Sequence, residues 1–248
     1  MPENPPPLFC HDAEAPPGAV VRLGAEEGEH AGRSVRLKPG DSLTLVDGRG
    51  TVSLAQVVET KSRHLEARVI SSRVAPRPAG PAITLGAALI RGPRFDTIIE
   101  KATELGVTAI APLVTRHTEI RPGEGAGRME RWRRLAIAAM KQSQRFHLPE
   151  IAEPMPLDDL LGRGGFDGVF VADPGEPRGL PVVAGGRLLL LVGPEGGWHD
   201  LEREALRNGG ASFISLGDNR LRSETSAIAL VVLLKAAAGG MGLVNPAN

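Results

Sequence analysis

Residues 188–200, LLLLVGPEGGWHD, join an apolar run to a glycine-rich turn and then to a polar segment. The unbroken apolar run is typical of a strand buried on both faces of a parallel sheet. The turn lacks the Lys and Ser/Thr of a phosphate-binding P-loop, and it lacks the glycine spacing of a dinucleotide-binding loop. Its glycines would let the backbone approach a ligand closely, and main-chain N–H and C=O groups suit a purine edge or a ribose.

The segments around this turn alternate between strand and helix patterns. Asp96 is predicted to cap a helix that Gly106 closes, and Ser223 is predicted to cap the last helix. Such alternation favours an α/β fold, in which a parallel sheet carries helices on both faces. Strands are predicted at 83–90, 108–114, 168–173, 187–192 and 212–216, and helices at 97–105, 127–145, 200–208 and from Ser223 onward.

The first 70 residues show a different secondary-structure pattern, with short strands predicted at 20–23, within 42–58 and at 64–70. Asp47-Gly48 is the strongest hairpin signal in the chain. Closely spaced short strands favour a small β-barrel. The predicted organisation is a barrel at 1–72, a Pro-rich linker at 73–82 and an α/β domain at 83–248.

Composition argues against a strongly basic nucleic-acid-binding protein, a metalloprotein, and a secreted or membrane protein. The formal net charge of the 248 residues is zero, so no global field favours nucleic acid, and only five of the 29 basic residues are Lys. Cys10 is the single cysteine, and the six histidines are scattered, so no metal site is expected. No signal peptide or membrane-spanning run is visible, which predicts a cytoplasmic protein without a membrane partner.

A second loop, LGDNRLRSET at 216–225, follows another predicted strand. Ligands of parallel sheets bind beyond the carboxyl ends of the strands, so this loop and the glycine-rich turn are expected to lie together. Arg220 and Arg222 bring permanent positive charge there, and Glu224 falls in the first turn of the last helix, where the helix dipole favours a carboxylate.

Together the two loops, GPEGGW and LG followed by RLRSETSA, resemble the C-terminal signature of the RsmE family of 16S rRNA uridine-N3 methyltransferases, within the SPOUT superfamily. Ser226 stands where the family has Ala, and Arg220 stands where an aliphatic residue is usual. The resemblance extends to residues 101–113 and 141–151, and to residues 26–50, which are similar to the family's PUA-like RNA-binding barrel.

This resemblance implies a SPOUT α/β domain with a C-terminal trefoil knot, a PUA-like barrel before it, and a homodimer. It implies S-adenosylmethionine as the cofactor, with the two loops as walls of its site. Trp198 is expected either to cover the ligand or to pack under the loop, and packing is the favoured interpretation. The residues expected to bind the cofactor are Val192, Gly193, Pro194, Glu195, Gly196, Gly197, Leu216, Gly217, Leu221, Arg222 and Thr225.

Methylation of uracil N3 makes its own chemical demand. The methyl group of a sulfonium is already electrophilic and mainly needs in-line positioning. Uracil N3, however, is a poor nucleophile until its proton leaves, so the site needs a base or a cation that stabilises the developing anion. Arg222 is the candidate for the electrostatic role. Glu224 is a second catalytic candidate, with a capping role as the alternative, and the base stays unassigned.

RNA contact is predicted for basic residues in two segments. A charged helix face is usually only solvated, but a phosphate-rich substrate makes backbone contact a reasonable interpretation. The candidates are Arg33, Arg36 and Lys38 in the barrel, and Arg131, Arg134, Lys141 and Arg145 in the long helix.

The leading hypothesis is methylation of a decoding-region uridine of 16S rRNA, within the assembled small subunit. Two alternatives stay open: a SPOUT methyltransferase that acts on another RNA such as tRNA, and a non-catalytic RNA-binding factor of ribosome assembly. Binding of the methyl donor would separate the second alternative from the enzymes.

Overall fold

The computed structural model describes residues 7–10, 13–32, 36–61, 64–118, 127–175 and 185–239. The chain divides into two compact units. One comprises Met1–Pro78 together with Ile137–Leu148, and the other comprises Ala79–Ala136 together with Pro149–Asn248. The long helix therefore contributes to both units, which the sequence pattern does not anticipate.

The N-terminal unit is a five-stranded sheet in the order β1-β3-β4-β5-β2. Alternating side chains of β4 and β5 are buried, and Leu45, Ala55 and Leu65 lie at the centre of its core. The elements are β1 (Leu8–Phe9), β2 (Val20–Arg22), α1 (Ala25–His30), β3 (Ser42–Val46), β4 (Thr51–Lys61) and β5 (His64–Val74).

The hairpin predicted at Asp47-Gly48 is confirmed, because β3 and β4 pair antiparallel on either side of it. Gly48 has a positive φ of 75°, which L-residues rarely adopt. The Asp47 carboxylate accepts hydrogen bonds from the amides of Arg49 at 2.7 Å and Thr51 at 3.0 Å. The turn is thus closed by a side chain that is itself buried.

The C-terminal unit is a parallel sheet in the order β12-β10-β11-β6-β7-β8, with β9 paired to β7. Its strands are β6 (Ala82–Ala88), β7 (Ala109–Val114), β8 (Glu150–Ile151), β9 (Met155–Pro156), β10 (Gly168–Ala172), β11 (Arg187–Val192) and β12 (Ser212–Ile214). Its helices are α2 (Arg94–Leu105), α4 (Leu157–Gly162), α5 (Asp200–Asn208) and α6 (Ser223–Ala237). It also contains the first half of α3, a helix that spans Arg128–Gln142 as a whole.

Helices cover both faces of this sheet, as predicted. Leu160 of α4 and Leu206 of α5 join Leu189 and Leu191 of β11 in one core cluster. The last helix, α6, packs against α2 and against β6, β10 and β11. Strand β11 is buried from Leu188 to Val192, in keeping with its unbroken apolar sequence. Within the described ranges, no helix is both long enough and apolar enough to cross a membrane.

Two predicted helix ends are wrong. Helix α2 begins at Arg94 after Pro93, so Asp96 lies inside the first turn and forms an ion pair with Arg131 instead of capping the helix. Helix α3 ends at Gln142 and not at residue 145, because Gln144 adopts a positive φ of 55° and the Arg145 amide turns back to the carbonyl of Met140. The predicted closure of α2 at Gly106 is confirmed by its left-handed conformation.

The segment after α3 packs on the hairpin of the N-terminal unit. Leu148 donates its amide to the Gly48 carbonyl at 2.8 Å, and His147 lies against Gly50, where a Cβ would approach the ring to 2.6 Å. The packing of these two residues on the hairpin accompanies the turn at Gln144, where the helix stops early.

Candidate functional site

A cavity of about 470 Å³ opens where β10, β11 and β12 end. This is the carboxyl edge of the parallel sheet, where such folds bind ligands. The volume lies in the range of small-molecule sites. Three segments form its wall: residues 172–174 after β10, residues 192–198 after β11, and residues 216–223 with Ser226, joined by Arg203 of α5.

Trp198 supports the glycine-rich loop from below. Its side chain is buried, and its Nε1 donates a hydrogen bond to the Ala172 carbonyl at 3.3 Å. A Cβ on Gly193 would approach the indole ring to 3.2 Å, so glycine lets the loop lie directly on the tryptophan. The predicted packing role of Trp198 agrees with this burial, and the ring also lines the cavity.

The second loop is tied to the first by two side chains. Ser223 Oγ donates to the Gly193 carbonyl at 2.9 Å, and Arg220 Nη2 donates to the Glu195 carbonyl at 2.8 Å. The prediction that Ser223 caps α6 is wrong: Arg222 occupies the N-cap position, and Ser223 is the first helical residue. Its hydroxyl joins the two loops instead, because it donates to the Gly193 carbonyl.

One corner of the cavity holds a buried ion pair that sequence reasoning missed. Asp173, directly after β10, is 2% exposed and receives Arg203 Nη2 at 2.8–3.0 Å. Asp173 Oδ1 accepts the amide of Gly175 at 3.1 Å and Arg203 Nη2 at 3.0 Å, and Oδ2 lies 2.8 Å from the same Nη2 in the ion pair. The available signal was position, because Asp173 closes a predicted strand at the carboxyl edge of the sheet.

The residues predicted to bind a cofactor largely come together here. The glycine-rich loop contributes all six of its candidates to the cavity wall, and Leu216, Gly217, Leu221 and Arg222 complete the set. Thr225 is exposed on the first turn of α6 and does not line the cavity.

The two catalytic candidates are separated by the turn into α6. Arg222 is exposed and lines the cavity. Glu224 lies outside the wall, and its Oε2 is buried without a hydrogen-bond partner in the part of the chain that the structure describes. Arg222 is therefore the better placed of the two to meet a ligand.

A second cavity, of about 560 Å³, shares Pro194, Glu195 and Gly196 with the first. Its side chains carry charge: Arg94 forms an ion pair with Glu195 and donates Nε to the Arg91 carbonyl at 3.3 Å. The remaining lining residues are Leu89, Ile90, Arg91 and His117. Sequence reasoning did not single out this group.

His117 is anchored to the shared loop and to α5. Its Nδ1 lies 3.0 Å from the Gly197 carbonyl, and its ring meets the His199 ring edge-on, with centroids 5.5 Å apart. The buried Glu202 accepts the amides of Arg116 and His199, each at 2.9 Å, so the segment after β7 is held against the start of α5.

The residues predicted to contact RNA are divided between the two units. Arg36 and Lys38 are exposed in the N-terminal unit, and Arg33 lies outside the described residues. Arg131 and Arg134 lie on the C-terminal unit's half of α3. Lys141 is half-buried and paired with Glu27. Arg145 lies beyond the helix, where burial lowers the pKa of its guanidinium and Nε has no described hydrogen-bond partner.

Metal ligation has no evident centre: across the described ranges, no three His, Cys, Asp or Glu side chains come close enough to hold an ion.

Two segments of the chain match families of RNA methyltransferase domains. Residues 78–235 match the RNA methyltransferase domain family, and residues 23–70 match the RNA methyltransferase PUA domain family. Among characterised sequences, the ribosomal RNA small subunit methyltransferase E of Mycobacterium bovis is 32% identical over 89% of this chain and 87% of its own length. The protein of the same name from Synechocystis is 31% identical over 84% and 70%, respectively.

Two solved structures share the fold. Ribosomal RNA small subunit methyltransferase E from Neisseria gonorrhoeae, bound to S-adenosyl methionine, has a TM-score of 0.84 and 25% identity over 93% of this chain and 97% of that one. A Legionella pneumophila protein, solved with the bound cofactor SAM, has a TM-score of 0.84 and 28% identity over 95% and 98%. With the sheet topology, these likenesses confirm the predicted SPOUT-type α/β domain and its small PUA-like β domain. The chain belongs to the RNA methyltransferase family that includes the ribosomal RNA small subunit methyltransferases E.

Proposed function

We propose that this chain transfers the methyl group of S-adenosylmethionine to N3 of one uridine in 16S rRNA. The observation that carries the proposal is the cavity beyond β10, β11 and β12, which is lined by the glycine-rich loop and by the ion pair of Asp173 with Arg203. The named relatives act on small-subunit rRNA, and two structural neighbours hold the methyl donor.

The chemistry of the cavity fits this donor. Backbone groups of the 192–197 and 216–221 segments suit an adenosine, because they offer hydrogen bonds without a net charge. The donor's other end is a zwitterionic amino acid. The Asp173 carboxylate is an acceptor for an ammonium group, and Arg203 beside it offers guanidinium N–H groups to a carboxylate.

Arg222 supplies the electrostatic part of catalysis. As uracil N3 loses its proton, negative charge spreads onto the neighbouring carbonyl oxygens, and a fixed cation stabilises it. Arg222 lines this cavity, carries a planar guanidinium, and is fixed at its backbone by the start of α6. Glu224 supports the helix start through its position in the first turn.

RNA binding is assigned to exposed basic residues in both units. The residues are Arg36 and Lys38 in the PUA-like unit and Arg131 and Arg134 on α3, all of which are exposed; Arg131 is also paired with Asp96. The protein acts in the cytoplasm as a homodimer, and its substrate is the assembled small subunit rather than free rRNA. The domain boundaries proposed are those of the sequence analysis: a PUA-like unit at 1–72, a linker at 73–82 and a methyltransferase unit at 83–248.

The test is methyl transfer from labelled S-adenosylmethionine to small subunits from cells that lack this protein, with the product nucleoside identified by mass spectrometry. N3-methyluridine at one site of 16S rRNA is the expected product. Transfer to tRNA but not to subunits would identify a SPOUT methyltransferase whose substrate is tRNA. A protein that binds subunits but no S-adenosylmethionine would instead be a non-catalytic assembly factor.

A further inference from the structure

We propose that the second cavity receives the target uracil and that His117 is the general base that removes its N3 proton. The inference rests on the proposed function, since it assigns the acceptor half of the same reaction. One short loop, residues 194–196, lines both cavities.

Methyl transfer requires the donor and the acceptor to lie next to each other. Pro194, Glu195 and Gly196 line both the donor cavity and the second cavity. The two cavities are therefore neighbours along this loop, so a ligand in one borders a ligand in the other. In-line attack needs this adjacency, because the reacting atoms must approach to about 3–3.5 Å before reaction.

The second cavity has the lining that a nucleotide requires. Leu89 and Ile90 are buried side chains that offer an apolar surface to a base. Arg91 and Arg94 bring positive charge that can contact a phosphate or a uracil carbonyl. A base that undergoes chemistry must leave its stack and enter such a pocket.

The hydrogen bond of His117 determines which of its nitrogens is basic. Nδ1 lies 3.0 Å from the Gly197 carbonyl. A carbonyl oxygen only accepts, so Nδ1 must carry the proton of this bond. In the neutral ring, Nε2 then has a lone pair and no proton. His117 is exposed at the cavity, so the lone pair is accessible to a ligand there.

Several contacts hold this ring in place. Gly196 allows close approach, because a Cβ there would lie 3.2 Å from His117 Cβ. Glu202 fixes the backbone before the ring through the Arg116 amide. His199 packs against the ring edge-on. A base positioned by its neighbours has the arrangement that general-base catalysis uses.

The proton transfer balances without any further reactant. The N3–H bond breaks and its proton goes to His117 Nε2, while the N3 electron pair forms the bond to the methyl carbon. The carbon–sulfur bond breaks, and its electron pair stays on sulfur, which becomes neutral. The imidazolium of His117 then releases its proton to solvent. Among the described residues, Arg91, Arg94 and Glu195 are the other charged residues that line this cavity, and His199 packs on the ring.

The test compares full-length wild-type protein with His117→Gln, which keeps a polar side chain but cannot take up the proton. His64→Gln is the matched control, since His64 is an exposed histidine of the N-terminal unit. Methyl transfer to small subunits is measured with S-adenosylmethionine binding by calorimetry. We expect kcat to fall by about 100-fold or more in His117→Gln, with donor affinity unchanged and the control unaffected.

The pH dependence of this deficit separates a base from a structural residue. Without an enzymatic base, the reaction depends on uracil ionised by solvent, so the rate of His117→Gln should rise by up to about tenfold per pH unit. The deficit relative to wild type should therefore shrink between about pH 7 and about pH 9. A deficit that stays constant with pH would mean that His117 only positions the loop, and would overturn the assignment.

Other outcomes also decide the question. A kcat within about threefold of wild type in His117→Gln, or a change in KM alone, contradicts the proposal. Loss of S-adenosylmethionine binding in both His117→Gln and His117→Asn would show that the ring acts by holding the donor loop, which also contradicts it. Failure of the proposed function is distinguishable, because the wild-type protein itself would then leave subunits unmethylated.

Discussion

The two units use their polar side chains in different ways. In the N-terminal unit, Asp47 and Ser53 are buried and hydrogen-bond within the fold, where they close a turn and join neighbouring segments. In the C-terminal unit, Asp173 and Arg222 lie at the carboxyl edge of the sheet and line a cavity. Antiparallel strands connected by tight turns use polar groups to close the turns, whereas a parallel sheet presents its loops at one edge.

This difference predicts how variants of each unit should fail. Changes at polar residues of the N-terminal unit should lower stability and leave donor binding intact. Changes at the carboxyl edge of the C-terminal unit should lower catalysis or donor affinity and leave stability nearly unchanged.

The largest effect is expected from Arg222→Ala. Removal of a fixed cation beside the developing uracil anion should lower kcat by about 100- to 1,000-fold. Arg222 lines the donor cavity, so donor affinity must be measured beside kcat; an affinity within about threefold of wild type assigns the loss to the acceptor step. Single-turnover methyl transfer and calorimetric binding of S-adenosylmethionine measure the two quantities.

Arg163→Ala provides the control for Arg222→Ala, since Arg163 is an exposed arginine just after α4 and lies outside both cavities. Full activity in Arg222→Ala would remove the electrostatic role. An equal loss in both variants would point to a general effect of surface charge on RNA binding.

The sequence predicted most of the donor cavity because the signals there are local. An apolar run followed by a glycine-rich turn predicts a buried strand and a close backbone approach, and both loops follow strands whose carboxyl ends share one edge. Gly193 and Gly196 are glycines for reasons visible only in the structure, since Trp198 and His117 occupy the space that a Cβ would need.

His117 and the pair of Asp173 with Arg203 could not be found in this way. His117 lies 80 residues before its acceptor Gly197, and the two meet because β7 and β11 flank β6 in the sheet. Strand order is not encoded in local periodicity. The early end of α3 is a similar case, because it accompanies the packing of His147 and Leu148 on a distant hairpin.

The next largest effect is expected from Asp47→Ala in the N-terminal unit. Two backbone amides would lose a charged, buried acceptor, which should cost about 2 kcal/mol of stability in that unit. Amide hydrogen exchange in β3 and β4 measures this loss. Asp41→Ala is the comparison, since Asp41 is exposed and its carboxylate accepts the Lys38 amide at 2.8 Å. A fall in S-adenosylmethionine affinity with Asp47→Ala would break the contrast between the units.

A smaller effect is expected from Gly193→Ala in the donor cavity. The new methyl group would press on the Trp198 ring at 3.2 Å and displace the loop, so the dissociation constant of S-adenosylmethionine should rise by about tenfold, or 1.4 kcal/mol. Gly162→Ala is the matched control, because a Cβ there meets no atom within 4 Å. Unchanged affinity in Gly193→Ala would mean that the loop does not form the donor wall.

The smallest effect concerns His147 and acid. Burial, together with the positive charges of Arg77 and Arg145, lowers the pKa of His147 below its ordinary value of 6.5, although Asp47 acts in the opposite direction. The unfolded chain then binds this proton more readily than the folded one, so stability is fully present above about pH 6.5 and is lost as the pH falls below it. His147→Gln should remove this dependence.

Amide exchange in the N-terminal unit at about pH 7.5 and about pH 5.5 measures the dependence. Asp47 should not interfere in that window, because burial raises the pKa of its carboxyl but the hydrogen bonds from Arg49 and Thr51 hold it below 3.8, so its contribution is lost only at lower pH. Equal acid sensitivity in wild type and His147→Gln would assign the effect to other groups. Acid sensitivity of amides in β10 and β11 that also disappears in His147→Gln would show that the two units do not divide stability and function as their polar groups suggest.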